Sequence, residues 1–507
     1  MKYKTRFTCF SLSIAAFAIL FSAFSTADER PNFILLMGDD HGWSETGYNG
    51  HLHLKTPILD EMAKTGLRFD NFYAAHPTCS PTRGSVLTGR HPNRYGTFHP
   101  GWSIRSKEIT IAHVLAKVGY RCAHFGKWHL GPVKADSPTN PRAMGFHEFV
   151  SHDNFYEMDP VFSRNGGPPE QIKGEGSDVT INETMRFIDR ATEKGKPFLA
   201  VVWFGSPHEP YSGLEKDLAV YDNLPASYAE RNVQLTSMKT GRPTTRSLRE
   251  VLRERYAEIT AMDRAIGKLR EHLKSKQLSD NTLVWYCGDN GHPPSSGQVS
   301  SPLRGEKAQM YEGGIRVPGL IEWPARIKSA KVTSVSAGTS DILPTICDLA
   351  DIEIPSRPMD GISIVRLIDG DMSQRPTPIC FWRYNSERLI TTGLAKAKPY
   401  FSVTLQEGTT PLVKYLEGKL TRSFKNYHQP ATTEEDYAGM RAIVDNRYKL
   451  VIDGDGDDRI ELFDLINDRA EKSNLVDSEP EVAEKLKKQL RGWQTSVLES
   501  LAEKDYN

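Results

Sequence analysis

Phe33-Ile34-Leu35-Leu36-Met37-Gly38-Asp39-Asp40 runs from an unbroken apolar stretch into two adjacent carboxylates. A run without polar alternation predicts a strand buried on both faces, the environment of a parallel sheet covered by helices. Three later stretches repeat the arrangement. Tyr120 to Phe125 leads into Gly126-Lys127-Trp128-His129, Pro197 to Phe204 into Gly205-Ser206-Pro207-His208, and Thr282 to Cys287 into Gly288-Asp289-Asn290. Alone, an Asp-Asp pair caps a turn and a histidine after a strand is a loop residue. Ligands of open parallel sheets, however, bind outside the carboxyl ends of the strands. Four such ends explain one another if they meet at one place.

Helical patterns separate these strands. Thr56-Pro57 opens a helix with Ile58, Leu59 and Met62 on one face and Gly66 as its stop, followed by strand-like Leu67 to Phe72. Ile109 to Val118, Val179 to Thr192 and Asp341 to Leu349 also read as helices. Leu248 to Leu273 is the strongest, with Leu252, Tyr256, Ile259, Met262, Ile266, Leu269 and Leu273 along one stripe. Residues 132–175, rich in Pro, Gly, Asn and Ser, read as loops, and 211–247 as a polar insertion. From about 375 the runs shorten, notably Ala442 to Val444, Tyr448 to Ile452 and Glu461 to Leu465, before a helix from Glu479 to Leu501. The expected fold is α/β: a large, mostly parallel sheet flanked by helices over 28–375, then a smaller antiparallel sheet with a helix over 376–507. At 507 residues the chain exceeds one average core. Asp453 to Asp458 echoes a calcium loop but lacks the sixth-position glycine and twelfth-position glutamate, so a hairpin turn is expected.

Lys plus Arg and Asp plus Glu stand at 64 each, leaving no global field to draw nucleic acid or a membrane surface. An anionic ligand must be held by a local constellation. Lys2, Lys4 and Arg6 precede an apolar run from Phe7 to Phe24 and small residues up to Ala27. This predicts a signal peptide over 1–27, cleaved near Ala27, with export to the periplasm or exterior and no stable membrane association; an uncleaved anchor is the alternative. Six cysteines, at 9, 79, 122, 287, 347 and 380, are too scattered for a disulfide framework.

One cysteine stands apart. Cys79-Ser80-Pro81-Thr82-Arg83-Gly84-Ser85-Val86-Leu87-Thr88-Gly89-Arg90 reads locally as a short helix with Pro81 in its first turn and Gly89 at its end. That gives no reason for this cysteine or this arginine. The stretch resembles the signature of the type I sulfatases of the alkaline phosphatase superfamily, Cys-x-Pro-Ser/Thr-Arg followed by Thr-Gly-Arg. The resemblance extends over roughly 31–478, through Met37 to Asp40, Gly126 to Gly131, Pro207 to Pro210, Gly288 to Gly291, Arg304 to Lys307, Glu312 to Pro318 and the late Arg447-Tyr-Lys-Leu and Glu461-Leu-Phe-Asp-Leu.

The resemblance implies a sulfuric ester hydrolase whose Cys79 is oxidised by a maturation enzyme to Cα-formylglycine (3-oxoalanine), the aldehyde hydrate being the nucleophile. It implies Asp39, Asp40, Cys79, Asp289 and Asn290 around one calcium ion, and hard oxygen donors suit calcium better than zinc. It places Arg83, Lys127, His129, His208 and Lys307 around the sulfate, with His208 as leaving-group acid and His129 as the base that regenerates the aldehyde. Export favours a sulfated glycan over a small sulfate ester as substrate. Walls for it are expected from His91 to Trp102, 132–175, 211–247 and Arg383-Tyr384-Asn385. The alternatives are an aryl sulfatase, a phosphonate or phosphodiester hydrolase of the same superfamily, and an inactive sulfated-glycan binding protein.

Overall fold

The computed structural model describes residue 1 and residues 30–506, apart from 155, 157, 238–241, 300, 387–398, 405–422, 428, 430, 431, 455, 457 and 458. The signal peptide expected over 1–27 lies outside the described residues apart from Met1.

Five strands form the parallel centre of a ten-stranded sheet: β1 (Asn32–Gly38), β2 (Arg121–Lys127), β3 (Glu148–His152), β4 (Phe198–Trp203) and β5 (Thr282–Gly288), in the spatial order β5-β1-β4-β2-β3. Antiparallel strands extend both edges, Gly319–Glu322 against β5 and Val161–Arg164 against β3. The apolar run of β1 divides by the strand's period of two. Phe33, Leu35 and Met37 enter one core, and Ile34 and Leu36 enter the core on the opposite face.

Each face has its own helices. Helix α1 (Cys79–Thr88) lies on the first face, where Val86 and Leu87 pack with Ile342, Leu343 and Ile346. Helices α2 (Gly176–Glu193) and α3 (Leu248–Ser275) cover the other, and the expected stripe from Leu252 to Leu273 on α3 is buried.

The smaller sheet is antiparallel, in the order Ile379–Trp382, Arg441–Val444, Tyr448–Ile452, Ile460–Asp464. Helix α4 (Pro480–Leu501) sets Leu486 and Leu490 on one face, against Ile443, Leu450 and Leu462. The other face meets Tyr73, Met310 and Ile315 of the larger unit. Asp453 begins the turn between the last two strands, as expected; 455, 457 and 458 lie outside the described residues.

Two expectations are corrected, and a third gains detail. Residues 132–175 are not all loop: Glu148–His152 joins the main sheet, and Val161–Arg164 pairs with Pro169–Gln171. Their strand character comes from tertiary pairing rather than from a local pattern. Leu67 to Phe72 is two strands, Leu67–Phe69 in the main sheet and Phe72–Tyr73 in a separate three-stranded one. The polar insertion contains a hairpin, Asn232–Thr236 with Pro243–Ser247. Among the described residues no helix is long and apolar enough to cross a membrane.

Candidate active site

The carboxyl ends of β1, β2 and β5, with the loop after β4, converge on the first turn of α1. Cys79 is the first residue of that helix, and every residue of the helix is buried. Gly89 stops it in the left-handed region, at φ 69°, where L side chains are strained. A helix N-terminus turned toward a site favours negative charge there.

Buried charges of both signs meet around Cys79. Arg83 Nε and Nη2 donate to Asp289 Oδ2 at 3.1 and 2.6 Å, and Nη1 donates to the Lys127 carbonyl at 3.2 Å. Its Nη2 also lies 3.4 Å from Asp39 Oδ1, and its guanidinium sits 5.2 Å above the Trp203 ring. Lys127 Nζ donates to Asp39 Oδ2 at 2.5 Å, and Lys307 Nζ to Asp40 Oδ2 at 2.7 Å. Asn290 Nδ2 donates to Asp40 Oδ1 at 2.8 Å, and the Asp40 backbone N–H to Asp289 Oδ1 at 2.9 Å. His208 Nε2 stands 3.7 Å from Asp40 Oδ2, its Nδ1 held 2.6 Å from the Glu209 carbonyl. Three carboxylates thus face three cations, as buried charge requires.

His129 sits two residues beyond Lys127 at φ 56°, its N–H donating to the Asp153 carbonyl at 3.0 Å. Its ring packs edge-on against Phe424, the centroids 6.2 Å apart. Asp40 also has a positive φ, 61°. Two non-glycine residues in this sparsely populated region, both at one site, carry the strain that surrounding structure sustains at functional positions.

The site perturbs its own titrations. Burial would raise the Asp40 carboxyl, but Lys307, His208 and Lys127 together hold it well below the ordinary range. Burial and the neighbouring Asp39 charge push Asp289 up to about 6 against the pull of Arg83. Burial drives His208 down to about 3, opposed by Asp40. Burial also raises the Cys79 thiol, with Lys127 and Lys307 opposing.

The donor set fits a hard divalent cation. Asp39, Cys79 and Asp289 each offer a ligand atom within 4.8 Å of the others, and so do Asp39, Asp40 and His208. Asp39 Oδ1 and Asn290 Oδ1 are buried acceptors with no hydrogen-bond partner. Two buried oxygens without a hydrogen-bond donor, Asp39 Oδ1 facing the Arg83 guanidinium at 3.4 Å, suit an oxygen-liganded ion such as calcium.

A cavity of about 550 Å³ opens beside Thr78, the residue before Cys79, with His76, His99, Arg383, Asn385 and Asp453 among its walls. The expected segments around His99 and Arg383 contribute to it; among the described residues, 132–175 and 211–247 do not. Sequence reasoning passed over two supports. Asp153 holds the His129 turn, its Oδ1 accepting from the Val133 N–H at 2.6 Å. Arg255 holds the Asp40 carbonyl at 2.7 Å. Inside an amphipathic helix, Arg255 reads as one more surface charge, and nothing local distinguishes it.

The sulfatase family profile matches residues 31–352, and that of the C-terminal region of N-sulphoglucosamine sulphohydrolase matches 305–400. Human arylsulfatase A is 31% identical over 67% of this chain and 68% of its own length. Mouse N-acetylgalactosamine-6-sulfatase is 27% identical over 80% of this chain and 79% of its own. The crystal structure of Ps i-CgsB in complex with k-i-k-neocarrahexaose shares the fold, with a TM-score of 0.71 at 23% identity over 92% of this chain and 93% of that one. The signature helix, the strand ends that surround it and these matches together make the chain a member of the type I sulfatase family, within the alkaline phosphatase superfamily.

Proposed function

We propose that this enzyme is an exported sulfatase that releases sulfate from a sulfated carbohydrate, using a formylglycine made from Cys79 and one calcium ion. The observation that carries the reading is Cys79 at the N-terminus of a buried helix, within ligand reach of Asp39 and Asp289. Asp39, Asp40, Asp289, Asn290 and the side chain at position 79 would hold the cation, which supplies positive charge to orient and polarise a sulfate group. Formylglycine supplies, as its hydrate, a hydroxyl nucleophile.

The chain's own residues do the rest. Arg83 fixes Asp289 and the carboxyl end of β2 together, so that metal ligands and cationic groups keep one geometry. Lys127 and Lys307, held at Asp39 and Asp40, stand ready to stabilise charge on sulfuryl oxygens in the transition state. His208 protonates the leaving oxygen: burial keeps its ring neutral, and an anionic ester alongside favours the imidazolium. His129 takes the proton from the second hydroxyl of the nucleophilic residue. We assign 28–375 as the catalytic domain and 376–507 as a subdomain that contributes Arg383 and Asp453 to the cavity wall. Maturation of Cys79 requires a separate formylglycine-generating enzyme.

A sugar substrate is supported by the named action of the mouse relative on N-acetylgalactosamine 6-sulfate and by the oxygen- and nitrogen-rich wall beside Thr78. The arylsulfatase A relative keeps simple aryl esters as the second reading. The test is sulfate release from a panel of sulfated mono- and oligosaccharides, with aryl sulfates and aryl phosphate or phosphonate esters alongside, after co-production with the maturation enzyme. Turnover of a sugar sulfate above the aryl esters, lost in Cys79→Ser, is expected. Preferential turnover of phosphate or phosphonate esters, or near-normal activity in Cys79→Ser, would overturn it.

A further inference from the structure

Arg255 is fully buried in the middle of α3, and its guanidinium is used on every side. Nε and Nη2 donate to the two carboxylate oxygens of Glu45 at 2.7 Å each. Nη2 donates also to the Asp40 carbonyl at 2.7 Å, and Nη1 to the Pro207 carbonyl at 2.5 Å and to the Tyr211 hydroxyl at 3.3 Å. Glu45 in turn accepts from the Gly42 N–H at 2.9 Å.

Two of these contacts bear on chemistry. Asp40, at φ 61°, follows β1 and is one of the residues that would hold the cation; Pro207 follows β4 and immediately precedes His208. One rigid fork therefore holds the Asp40 and Pro207 carbonyls of both loops, beside the backbone bond that joins them, from the Asp39 N–H to the Ser206 carbonyl at 2.9 Å, and His208 Nε2 lies 3.7 Å from Asp40 Oδ2. A plain structural role explains the Glu45 pair poorly. A buried ion pair adds little stability over an apolar pair of the same volume, and an apolar pair could not hold two carbonyls.

We propose that Arg255, neutralised by Glu45, is a positioning residue that sets His208 against the leaving-group oxygen. The inference rests on the sulfatase reading above. It makes Arg255 matter most for esters whose leaving group is a poor one, because these need a proton delivered as the S–O bond breaks, whereas an acidic phenol departs without help.

The experiment compares kcat/KM for 4-nitrophenyl, phenyl and 4-methoxyphenyl sulfate in wild type, Arg255→Lys and Glu45→Gln, with His208→Ala as the reference. Lysine keeps a positive charge beside Glu45 but cannot hold both carbonyls. Because ratios between substrates cancel the amount of active enzyme, misfolding alone leaves them unchanged. For Arg255→Lys we expect a loss of about 3-fold or less on 4-nitrophenyl sulfate rising to about 30-fold or more on 4-methoxyphenyl sulfate, the trend shared by His208→Ala. Glu45→Gln should follow with a smaller span. A uniform loss across the series in Arg255→Lys, or none, while His208→Ala shows the trend, would overturn the inference and leave the sulfatase reading standing. A wild-type enzyme that releases sulfate neither from this series nor from the sulfated-sugar panel would remove both.

Discussion

Arg83→Met removes the cation that Asp289 faces and leaves the shape of the side chain largely in place. In the folded protein Arg83 and Asp289 are both fully buried, joined through Nε and Nη2 at 3.1 and 2.6 Å. Removing one partner of a buried pair leaves an uncompensated charge and costs about 3–5 kcal/mol. The unfolding entropy of a 507-residue chain is about 1 kcal/mol per kelvin, so the melting temperature should fall by about 3–5 °C. Differential scanning fluorimetry at fixed pH and calcium measures the shift, and sulfate release measures function. Arg83→Lys separates charge from geometry. It should recover most of the melting temperature, since the charge remains, yet stay down about 100-fold in turnover, since an ammonium cannot hold Asp289 and the Lys127 carbonyl together. An Arg83→Met variant melting within about 1 °C of wild type would refute the reasoning, because the buried carboxylate would then not depend on its counter-cation.

Chelation with EDTA should abolish sulfate release and lower the melting temperature by about 3 °C, given about 2.7 kcal/mol of linkage at a hundredfold excess of ion over its dissociation constant; calcium should restore both, and an unchanged melt counts against the metal assignment. Acid should weaken the Glu45–Arg255 pair. Burial alone would raise Glu45, but Arg255 draws it down to about 2 from an ordinary 4.5. A depressed carboxylate gives stability that is present above pH 4.5 and lost as pH falls toward 2, so the contribution is on the order of 3 kcal/mol at neutral pH. Urea melts of wild type and Glu45→Gln should therefore differ at pH 7 and approach each other by pH 3. A gap independent of pH would contradict this.

The local pattern of the sequence carried much of the architecture. The apolar runs that became β1, β2, β4 and β5 are legible because strands buried on two faces tolerate no polar alternation. The stripe on α3 is legible because its period matches the helix. Glu148–His152 was not, since a short strand amid Pro and Gly becomes one only when a neighbour offers its backbone partners. The same division runs through the site. Asp39, Asp40, Lys127, His208, Asp289 and Asn290 are marked by their place after apolar runs, and Cys79 and Arg83 by their signature.

Distances and partners were decided elsewhere. That Arg83 spans Asp289 and the Lys127 carbonyl, that Lys307 meets Asp40, and that Arg255 ties the Asp40 loop to the one bearing His208 depend on contacts between residues 44 to 267 positions apart. By itself the sequence determined the fold class, the family and which side chains reach the strand ends, because those follow from periodicity and adjacency. Only the tertiary structure decided which charges neutralise which and what holds each loop still. A guanidinium in the middle of a helix gives no local sign of the two carbonyls it will meet once the sheet has closed over it.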